Sequence, residues 1–455
     1  MPTFPDGFRW GASTAAYQIE GAVAEDGRTP SIWDTFSHTP GRTRHGDNGD
    51  IACDHYHRVD EDLDLIASLG LQVYRFSISW SRIKPAPDGI SNAAGLDFYD
   101  RLVDGLLARG IEPMTTLYHW DMPQWLQDKD GWANRDTADH FGEFTEAVVG
   151  RLADRVPTWI TVNEPYCVSY IGHLEGRHAP GICDEAIAVS TVHHVMLAHA
   201  RALQRIRDLA PTAKAGITLN VSDVHPATGS TDDAAAAAKV DLVENRMFLS
   251  PLFTGRYPDD AEAFYTGITD FGFVQTGDMD AISAPIDLLG VNFYEQHHVA
   301  AANGQSDGKN DRVRGAHKRD PAEPITAGGV AIRPQALRAV LNRVHQEWTD
   351  LPLWVTESGL ALYDYATPDG QVHDPERIDY FDGHFRAAAD AINDGVPLVG
   401  YVVWSLMDNF EWAEGYGWRF GFVHNDYRTQ TRTPKDSAHW LKRVITANAV
   451  PPRDH

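Results

Sequence analysis

Cysteine is scarce in this chain: its 455 residues include three, at Cys53, Cys167 and Cys183. An odd number cannot all pair within one chain, and no two have the C-x-x-C spacing of a zinc or redox motif. A disulfide scaffold and a cysteine-based metal site are therefore excluded. We expect three free thiols in a protein of a reducing compartment.

Long apolar runs and basic blocks are also missing. No stretch approaches the roughly 18 continuous apolar residues of a membrane-spanning helix, and the first ten residues lack the basic and apolar regions of a secretory signal. Acidic residues outnumber basic ones 64 to 39, which gives a formal net charge of -25. Such a charge repels nucleic acid and anionic membranes. We therefore expect a soluble, cytoplasmic protein that binds neither.

Histidine is abundant, but its spacing does not suit a metal site. The segment D-H-Y-H at 54–57 and the helix carrying His193, His194 and His199 come nearest to a ligand cluster. His194 and His199 are five residues apart, whereas side chains three or four apart share a helical face. No cysteine completes a ligand set. We expect neither a metal nor any other cofactor.

Strand-like and helix-like segments alternate from end to end, which is typical of βα units around a parallel sheet. Apolar, β-branched runs predict eight strands, at 8–13, 73–79, 113–119, 159–164, 214–221, 286–294, 351–357 and 397–405. Helical periodicity and helix-ending residues predict helices at 58–69, 94–109, 136–154, 184–209, 234–248, from about 334, at 375–394 and after 434.

Eight βα pairs predict a closed (β/α)8 TIM barrel, in which the βα loops build a site at the C-terminal ends of the strands. No linker or repeat interrupts the series, so we predict a single domain over residues 1–455. A barrel of this type needs only about 250 residues. The excess predicts long βα loops and a deep pocket. The longest such segment, about forty residues before Pro334, is of a length that is usually functional.

The residues at the predicted strand ends are almost all polar or aromatic: Arg75, His119, Trp120, Asn163, Glu164, Asn292, Tyr294, Glu357 and Trp404. Packing explains such residues at one or two strand ends, but not at most of them. Glu164 and Glu357 follow the fourth and seventh strands, which a closed barrel brings to one mouth. Paired carboxyl groups are the apparatus of glycoside hydrolysis: one protonates the leaving oxygen, and the other attacks the anomeric carbon or activates water, depending on their separation.

Motifs spread over nearly the whole chain resemble those of one enzyme family. They are F-x-W-G-A-S-T-A-A-Y-Q-I-E-G-A at 8–22, T-V-N-E-P at 161–165, V-T-E-S-G at 355–359, W-S-L-M-D-N-F-E-W-A-E-G-Y at 404–416, R-F-G-F-V at 419–423 and R-T-P-K-D-S at 432–437. In these segments the chain is similar to glycoside hydrolase family one, the retaining β-glucosidase family. The resemblance implies a TIM-barrel enzyme without a cofactor.

The resemblance also implies roles for individual residues. Glu357 matches the nucleophile that forms a covalent glycosyl-enzyme, and Glu164 matches the acid that becomes the base in the second step. Arg75, Asn292 and Tyr294 match positions that support these two groups. Positions that match the family's substrate-binding residues are Gln18, His119, Trp120, Asn163, Trp404, Glu411, Trp412 and Phe420, with Trp404 as the stacking platform for the sugar ring.

The expected activity is exo-acting, retaining hydrolysis of terminal β-D-glucosides, with some tolerance for galactosides or fucosides. The expected partners are small β-glycosides and short oligosaccharides, as in the breakdown of cellulose fragments. Three alternatives stay open: a transglycosylating β-glycosidase, a 6-phospho-β-glycosidase and a non-catalytic sugar-binding barrel. Glu411 disfavours the second, because the phosphate-binding members generally carry serine there. Oligomeric state is left open.

Two departures from the family pattern bear on specificity. Ser358 follows the nucleophile where the family usually has asparagine, so hydrogen bonding behind Glu357 is expected to differ. Val330 stands where the family often has tryptophan, at a position tied to the leaving-group side of the pocket. The preference for the leaving group is therefore the least transferable property.

Overall fold

The computed structural model describes residues 2–302, 313–320 and 324–452. Its strands are β1 (Arg9–Ser13), β2 (Val73–Ser77), β3 (Glu112–Tyr118), β4 (Thr158–Asn163), β5 (Lys214–Asn220), β6 (Asp223–Pro226), β7 (Leu288–Asn292), β8 (Gln296–Ala301), β9 (Ala316–Lys318), β10 (Leu353–Glu357), β11 (Leu398–Trp404), β12 (Val423–Asp426) and β13 (Thr431–Pro434).

The α-helices of the described residues alternate with these strands. They are α1 (Ala16–Ile19), α2 (Ile32–His38), α3 (Val59–Ser68), α4 (Trp80–Ile83), α5 (Ala93–Ala108), α6 (Gln124–Gln127), α7 (Asp136–Leu152), α8 (Glu185–Leu209), α9 (Thr231–Asp241), α10 (Met247–Thr254), α11 (Ala261–Phe264), α12 (Asp278–Ile282), α13 (Pro334–Glu347), α14 (Pro375–Asn393) and α15 (Asp436–Ala447). Two π-helical turns lie at Cys167–Ile171 and Leu242–Arg246.

Eight parallel strands close into a barrel in the order β1-β11-β10-β7-β5-β4-β3-β2, which confirms the predicted fold class. All eight predicted strands are present, most of them shorter than predicted. The second ends at Ser77 rather than at residue 79 because the chain turns into α4 from Ser79. The sixth shrinks to Leu288–Asn292.

The interior of the barrel changes from apolar to polar along the strands. Its lower part is a buried cluster to which six strands each contribute one residue: Val73, Met114, Ile160, Leu288, Trp354 and Val402. Side chains alternate along a strand, so positions two residues further also face inward. On four of these strands those positions are Arg75, Thr116, Thr356 and Trp404, all buried. The apolar cluster thus closes the bottom, and the polar groups point to the mouth.

The segment predicted as one helix at 234–248 is divided. Helix α9 begins after Ser230, whose side chain accepts a hydrogen bond from the Asp233 backbone N–H, and ends at Asp241. The π-helical turn at Leu242–Arg246 then leads into α10. Each of the three pieces buries apolar residues. Helical periodicity was present, but it does not distinguish a continuous helix from one with a wider turn.

The long segment before Pro334 was predicted as a loop and is partly strand. Strand β8 pairs with β6 in parallel and with β9 antiparallel, which makes a small sheet beside the barrel mouth. Residues 303–312 and 321–323 of this segment lie outside the described residues. Among the helices in the described ranges, none combines the length and the apolarity that a bilayer-spanning segment requires.

Candidate active site

A cavity of about 250 Å³ opens at the mouth of the barrel. Ten of the predicted site residues line it: His119, Trp120, Glu164, Asn292, Tyr294, Glu357, Trp404, Glu411, Trp412 and Phe420. The other three predicted residues, Gln18, Arg75 and Asn163, are buried and hydrogen-bond to members of this group. The structure therefore brings all the sequence-predicted site residues into one cluster.

Glu357 is the last residue of β10 and is held by a cation and a phenol. Arg75 on β2 donates from Nη1 to its Oε1 at 2.6 Å, and the Tyr294 hydroxyl donates to its Oε2 at 3.0 Å. Burial raises the pKa of Glu357, and the charge and hydrogen bonds of Arg75, followed by the hydrogen bond from Tyr294, oppose that rise. These donors stabilise the ionised form and fix both oxygens.

Glu164 comes directly after β4 in a very different setting. Its backbone has a φ of 48°, a left-handed conformation that is uncommon outside glycine and is found at functional sites. Asn292 donates from Nδ2 to its Oε1 at 2.7 Å, and the Cys167 thiol donates to its Oε2 at 3.1 Å. Burial and then the charge of Glu357 raise the pKa of Glu164 to about 7. A carboxyl group with this pKa can hold and release a proton near neutral pH.

A layer of hydrogen bonds below the cavity joins the two carboxyl groups. The remaining Arg75 donors bond Thr116 Oγ1 at 3.0 Å and Asn163 Oδ1 at 2.7 Å. The Thr356 hydroxyl donates to Asn292 Oδ1 at 2.8 Å, and Asn292 Nδ2 also donates to Asn163 Oδ1 at 3.1 Å. Each amide oxygen is thereby bound from the barrel interior, so both amide orientations are set.

The same layer sets the state of His119. Asn163 Nδ2 lies 3.1 Å from His119 Nε2, which must therefore accept, so the ring proton is on Nδ1. Burial, and after it the charge of Arg75, holds the pKa of His119 well below its usual value. The ring is neutral at working pH and presents one N–H donor that a sugar hydroxyl could use.

Glu411 is a third carboxyl group of the cavity and is partly buried. Gln18 Nε2 lies 3.5 Å from Glu411 Oε2 and makes shorter bonds to Asn409 Oδ1 at 3.0 Å and to the Phe410 carbonyl at 2.8 Å. Burial and then the charges of Glu357 and Glu414 raise the pKa of Glu411 to about 8. Within the described chain, Gln18 Oε1 is buried without a hydrogen-bond partner. Both residues can therefore serve a hydroxylated ligand.

Aromatic rings enclose the cavity. The Trp404 and His119 rings stack with centroids 5.7 Å apart, and the Trp412 and Trp120 rings lie 4.7 Å apart. Trp120 and Trp412 both have a positive φ, of 77° and 47°. Gly359 passes so close to the strand end that a Cβ would lie 2.0 Å from the Trp404 carbonyl oxygen. This close approach explains the glycine of the V-T-E-S-G motif.

Ser358, which stands where the family usually has asparagine, has a hydrogen-bond partner on α14. Its hydroxyl lies 3.0 Å from the Tyr380 hydroxyl of α14, and the Ser358 carbonyl accepts from the Trp404 backbone N–H at 3.0 Å. Both groups are buried. The residue that follows Glu357 is therefore hydrogen-bonded by α14 and β11 in this chain.

A second cavity of about 330 Å³ adjoins the first on its outer side. The two share lining residues, among them Lys318, Val330 and Trp418. Charged groups at this boundary are already paired: Lys318 lies 2.5 Å from Glu244, Glu295 lies 3.0 Å from His297, and Glu414 lies 2.9 Å from Arg44. Trp418 Nε1 is buried without a hydrogen-bond partner in the described residues.

The three cysteines are free thiols, as predicted; Cys53 and Cys167 are buried and Cys183 is exposed. Over the described ranges, no group of three or more His, Cys, Asp or Glu side chains is arranged to hold a metal ion. The helical histidines have other partners: His193 bonds Asp278 at 2.9 Å, and His199 lies 2.7 Å from Thr161 Oγ1.

Among the described residues that hydrogen-bond Arg75, Asn292 or Glu164, Thr116, Thr356 and Cys167 were missed from the sequence. The two threonines could have been found from strand alternation, because each lies two residues beyond a position of the apolar interior cluster. No sequence motif or periodicity pointed to Cys167. Its contact with Glu164 depends on the π-helical turn that begins at this residue.

Comparisons with known proteins agree with this geometry. The family model for glycosyl hydrolase family 1 matches residues 1–450. Beta-glucosidase A of Thermotoga maritima is 45% identical over 448 residues, covering 98% of each chain. A bifunctional beta-D-glucosidase/beta-D-fucosidase of Bifidobacterium breve is 46% identical over 463 residues, covering 98% of this chain and 99% of its own. The solved beta-glucosidase of Thermotoga maritima in complex with deoxynojirimycin superposes with a TM-score of 0.95 at 44% identity, covering 99% of this chain and 100% of its own.

Proposed function

Because the chain belongs to glycosyl hydrolase family 1, we propose that it is a retaining β-glucosidase that removes terminal β-D-glucosyl residues by double displacement. It is a glycoside hydrolase by family. One observation carries the mechanism: two buried carboxyl groups face one cavity, Glu357 with a guanidinium partner and Glu164 with a pKa of about 7. One group is suited to attack, and the other to proton transfer.

In the first step the Glu357 carboxylate forms a bond to the anomeric carbon while the bond to the leaving oxygen breaks. Glu164 gives its proton to that oxygen. In the second step Glu164 takes a proton from water, the water oxygen bonds to the anomeric carbon, and the ester to Glu357 breaks. Esterification removes the charge of Glu357, which is a cause of the raised pKa of Glu164. Glu164 is therefore a stronger acid in the intermediate and serves as the base.

The glucosyl unit fits the inner cavity. Trp404 offers a flat face, His119 offers its Nδ1–H, and Glu411 and Gln18 offer hydrogen-bonding groups to sugar hydroxyls. Asn163 Nδ2 keeps a second hydrogen for the 2-hydroxyl, as the family resemblance implies. Trp120, Trp412 and Phe420 enclose the ring, and Asn292 holds Glu164. The Bifidobacterium relative named for glucosidase and fucosidase activity supports tolerance of a sugar that lacks the 6-hydroxyl.

The outer cavity supports a further sugar as the leaving group, and hence short β-linked gluco-oligosaccharides as substrates. Lys318, Glu295 and Glu414 at its boundary with the inner cavity are each paired with an oppositely charged group, so a neutral, polyhydroxylated ligand suits this boundary better than a charged one. Trp418 supplies an aromatic face and a free N–H, at a boundary where Val330 replaces the family's common tryptophan. We place this activity in the cytoplasm on the basis of the free thiols.

Two of the three rivals lose support, one at Glu411 and one at the carboxyl pair. A phosphorylated sugar would bring a dianion close to the ionised Glu357, which repels it, and the neighbouring Glu411 is a carboxyl group that offers the phosphate no positive charge. A sugar-binding barrel without catalysis is disfavoured by the pair Glu164 and Glu357, which face one cavity and have different hydrogen-bond donors. Transglycosylation uses the same intermediate, and the ratio of products with and without added acceptor measures it directly.

The test is turnover of p-nitrophenyl β-D-glucoside, followed by NMR detection of the first anomer released. Retention predicts β-glucose as the first product, before mutarotation. Glu357→Gly is the matched inactive control. If the wild type turns over no faster than this control at any pH, the proposed glucosidase activity is wrong. If α-glucose is released first, the proposed double displacement is wrong.

A further inference from the structure

Two side chains donate hydrogen bonds to Glu164, one from a strong amide donor and the other from a weak thiol donor. Asn292 donates to Oε1, and its amide cannot turn round, because its oxygen accepts from Thr356 Oγ1 and its second N–H bonds Asn163. Oε1 is therefore an acceptor throughout. When Glu164 carries a proton, that proton must sit on Oε2, the oxygen that faces the Cys167 thiol at 3.1 Å.

We propose that Cys167 is a positioning residue for Glu164: its thiol donates to Oε2 when Glu164 is the base and withdraws that hydrogen when Oε2 holds the acid proton. A thiol suits this alternation because it is a weak donor and a weak acceptor. A stronger donor would hold Glu164 as a carboxylate, and an aliphatic group would leave the base without a partner at this oxygen. This inference rests on the proposed function of Glu164.

The local fold holds the thiol in place. The Cys167 backbone N–H donates to the Glu164 carbonyl at 3.0 Å, and the π-helical turn that begins here carries the side chain back over the carboxyl group. Cys167 is buried and lines the catalytic cavity. Burial and then the charge of Glu164 hold the pKa of the thiol well above its usual value. The group therefore stays protonated and acts as a donor rather than as a nucleophile.

Other titratable groups face this pair from several elements. Glu357, Arg75, Tyr294 and Glu411 act on Glu164 through their charges or as neighbours in the cavity. On the side of Cys167 the charged groups are Arg177 and Glu175, which form an ion pair at 3.2 Å. Arg177 and Glu175 act on Cys167 through their charges, so substitution of Cys167 alone tests the thiol contact with Glu164 and leaves this ion pair in place.

The experiment measures kcat/KM for p-nitrophenyl β-D-glucoside against pH in wild type, Cys167→Ala and Cys167→Ser. The thiol hydrogen bond favours the ionised form of Glu164, so its loss raises the pKa of that group. In the plot of kcat/KM against pH, the basic limb is the fall in activity as Glu164 loses its acid proton. Cys167→Ala should shift this limb upward by about half a pH unit to one unit. Cys167→Ser, a stronger donor, should place the limb at or below its wild-type position. The exposed thiol variant Cys183→Ala should leave the limb unchanged.

A second readout separates positioning from packing. With 2,4-dinitrophenyl β-D-glucoside the departure of the leaving group needs little acid, so kcat reports the second step, and its acidic limb reports Glu164 as the base. Cys167→Ala should move this limb upward as well. The proposal would be overturned if the pH-profile limbs of Cys167→Ala and Cys167→Ser stayed at their wild-type positions and any loss of activity were matched by a fall in Tm.

Failure of this inference differs from failure of the proposed function. If Glu164→Ala abolishes the basic limb while Cys167→Ala and Cys167→Ser leave it in place, Glu164 keeps its role and Cys167 has none. If the limb survives in Glu164→Ala, the assignment of Glu164 is wrong, and the inference about Cys167 is overturned with it.

Discussion

Glu357 and Glu164 are the same residue type at one barrel mouth, but their hydrogen-bond surroundings differ. Around Glu357, at the end of β10, Arg75 and Tyr294 donate to both oxygens. Around Glu164, after β4, the two donors are an amide and a thiol, and no cation is in direct contact among the described residues. Both carboxyl groups are buried. The difference therefore lies in the hydrogen-bond donors and their charge.

This difference comes from the order of strands in the barrel. Arg75 on β2 reaches Glu357 on β10 across the interior, above the apolar cluster of Val73, Met114 and their neighbours. The cation compensates the burial of one charge. Glu164 lies close enough to feel the negative charge of Glu357, and it has no cation partner among the described residues. Its pKa therefore rises. The placement of one arginine thus prepares both groups.

Removing Glu357, the proposed nucleophile, should have the largest effect. Glu357→Gly should lower kcat by about 10⁵-fold, because no other group can form the covalent intermediate. Azide should restore part of the activity by attacking from the vacated face, and the product should be the α-glycosyl azide. NMR of the azide adduct measures this outcome. A β-azide from this variant would mean that the two roles are reversed.

Removing Glu164, the proposed proton donor, should have a smaller effect that depends on the leaving group. Glu164→Ala should lower kcat/KM by about 10²- to 10⁴-fold for substrates that need protonation. The loss should be least for 2,4-dinitrophenyl β-D-glucoside, whose leaving group departs unaided. Azide should now give the β-glycosyl azide. Equal losses for good and poor leaving groups would contradict the assignment of Glu164 as the acid.

Removing one donor from Glu357 tests the contrast between the two surroundings. Tyr294→Phe keeps Arg75 but removes the 3.0 Å hydrogen bond to Oε2. The pKa of Glu357 should rise, so the acidic limb of kcat/KM should move upward and activity should fall about tenfold. Tyr365→Phe, the same substitution at an exposed tyrosine outside the cavity, is the control. A shift of the basic limb alone would count against this account.

The barrel and the cluster of site residues were predictable because both depend on strong local patterns. Buried β-branched runs mark the strands, and a closed barrel must bring Glu164 and Glu357 to one mouth. The small sheet of β6, β8 and β9 was not predictable. Its short strands carry weak alternation, and their pairing joins segments far apart in the chain. The contact of Cys167 was missed for a related reason, since it depends on the shape of one turn.

Glu411 extends the comparison to a partly buried carboxyl group that has, among the described residues, neither a cation partner nor a side-chain hydrogen bond shorter than the 3.5 Å contact with Gln18. Its pKa of about 8 lies above the ordinary value of 4.5. A group whose pKa is raised by folding contributes stability below its unfolded pKa and loses it as pH rises through the folded value.

Tm of the wild type should therefore fall between pH 5 and pH 9 in part through this group. Glu411→Gln cannot ionise, so its Tm should fall less over that range, by about 1 to 3 °C for a chain of this size. Differential scanning calorimetry measures the change, with the exposed Glu262→Gln as the control; parallel curves for Glu411→Gln and wild type would show that Glu411 is already ionised at low pH.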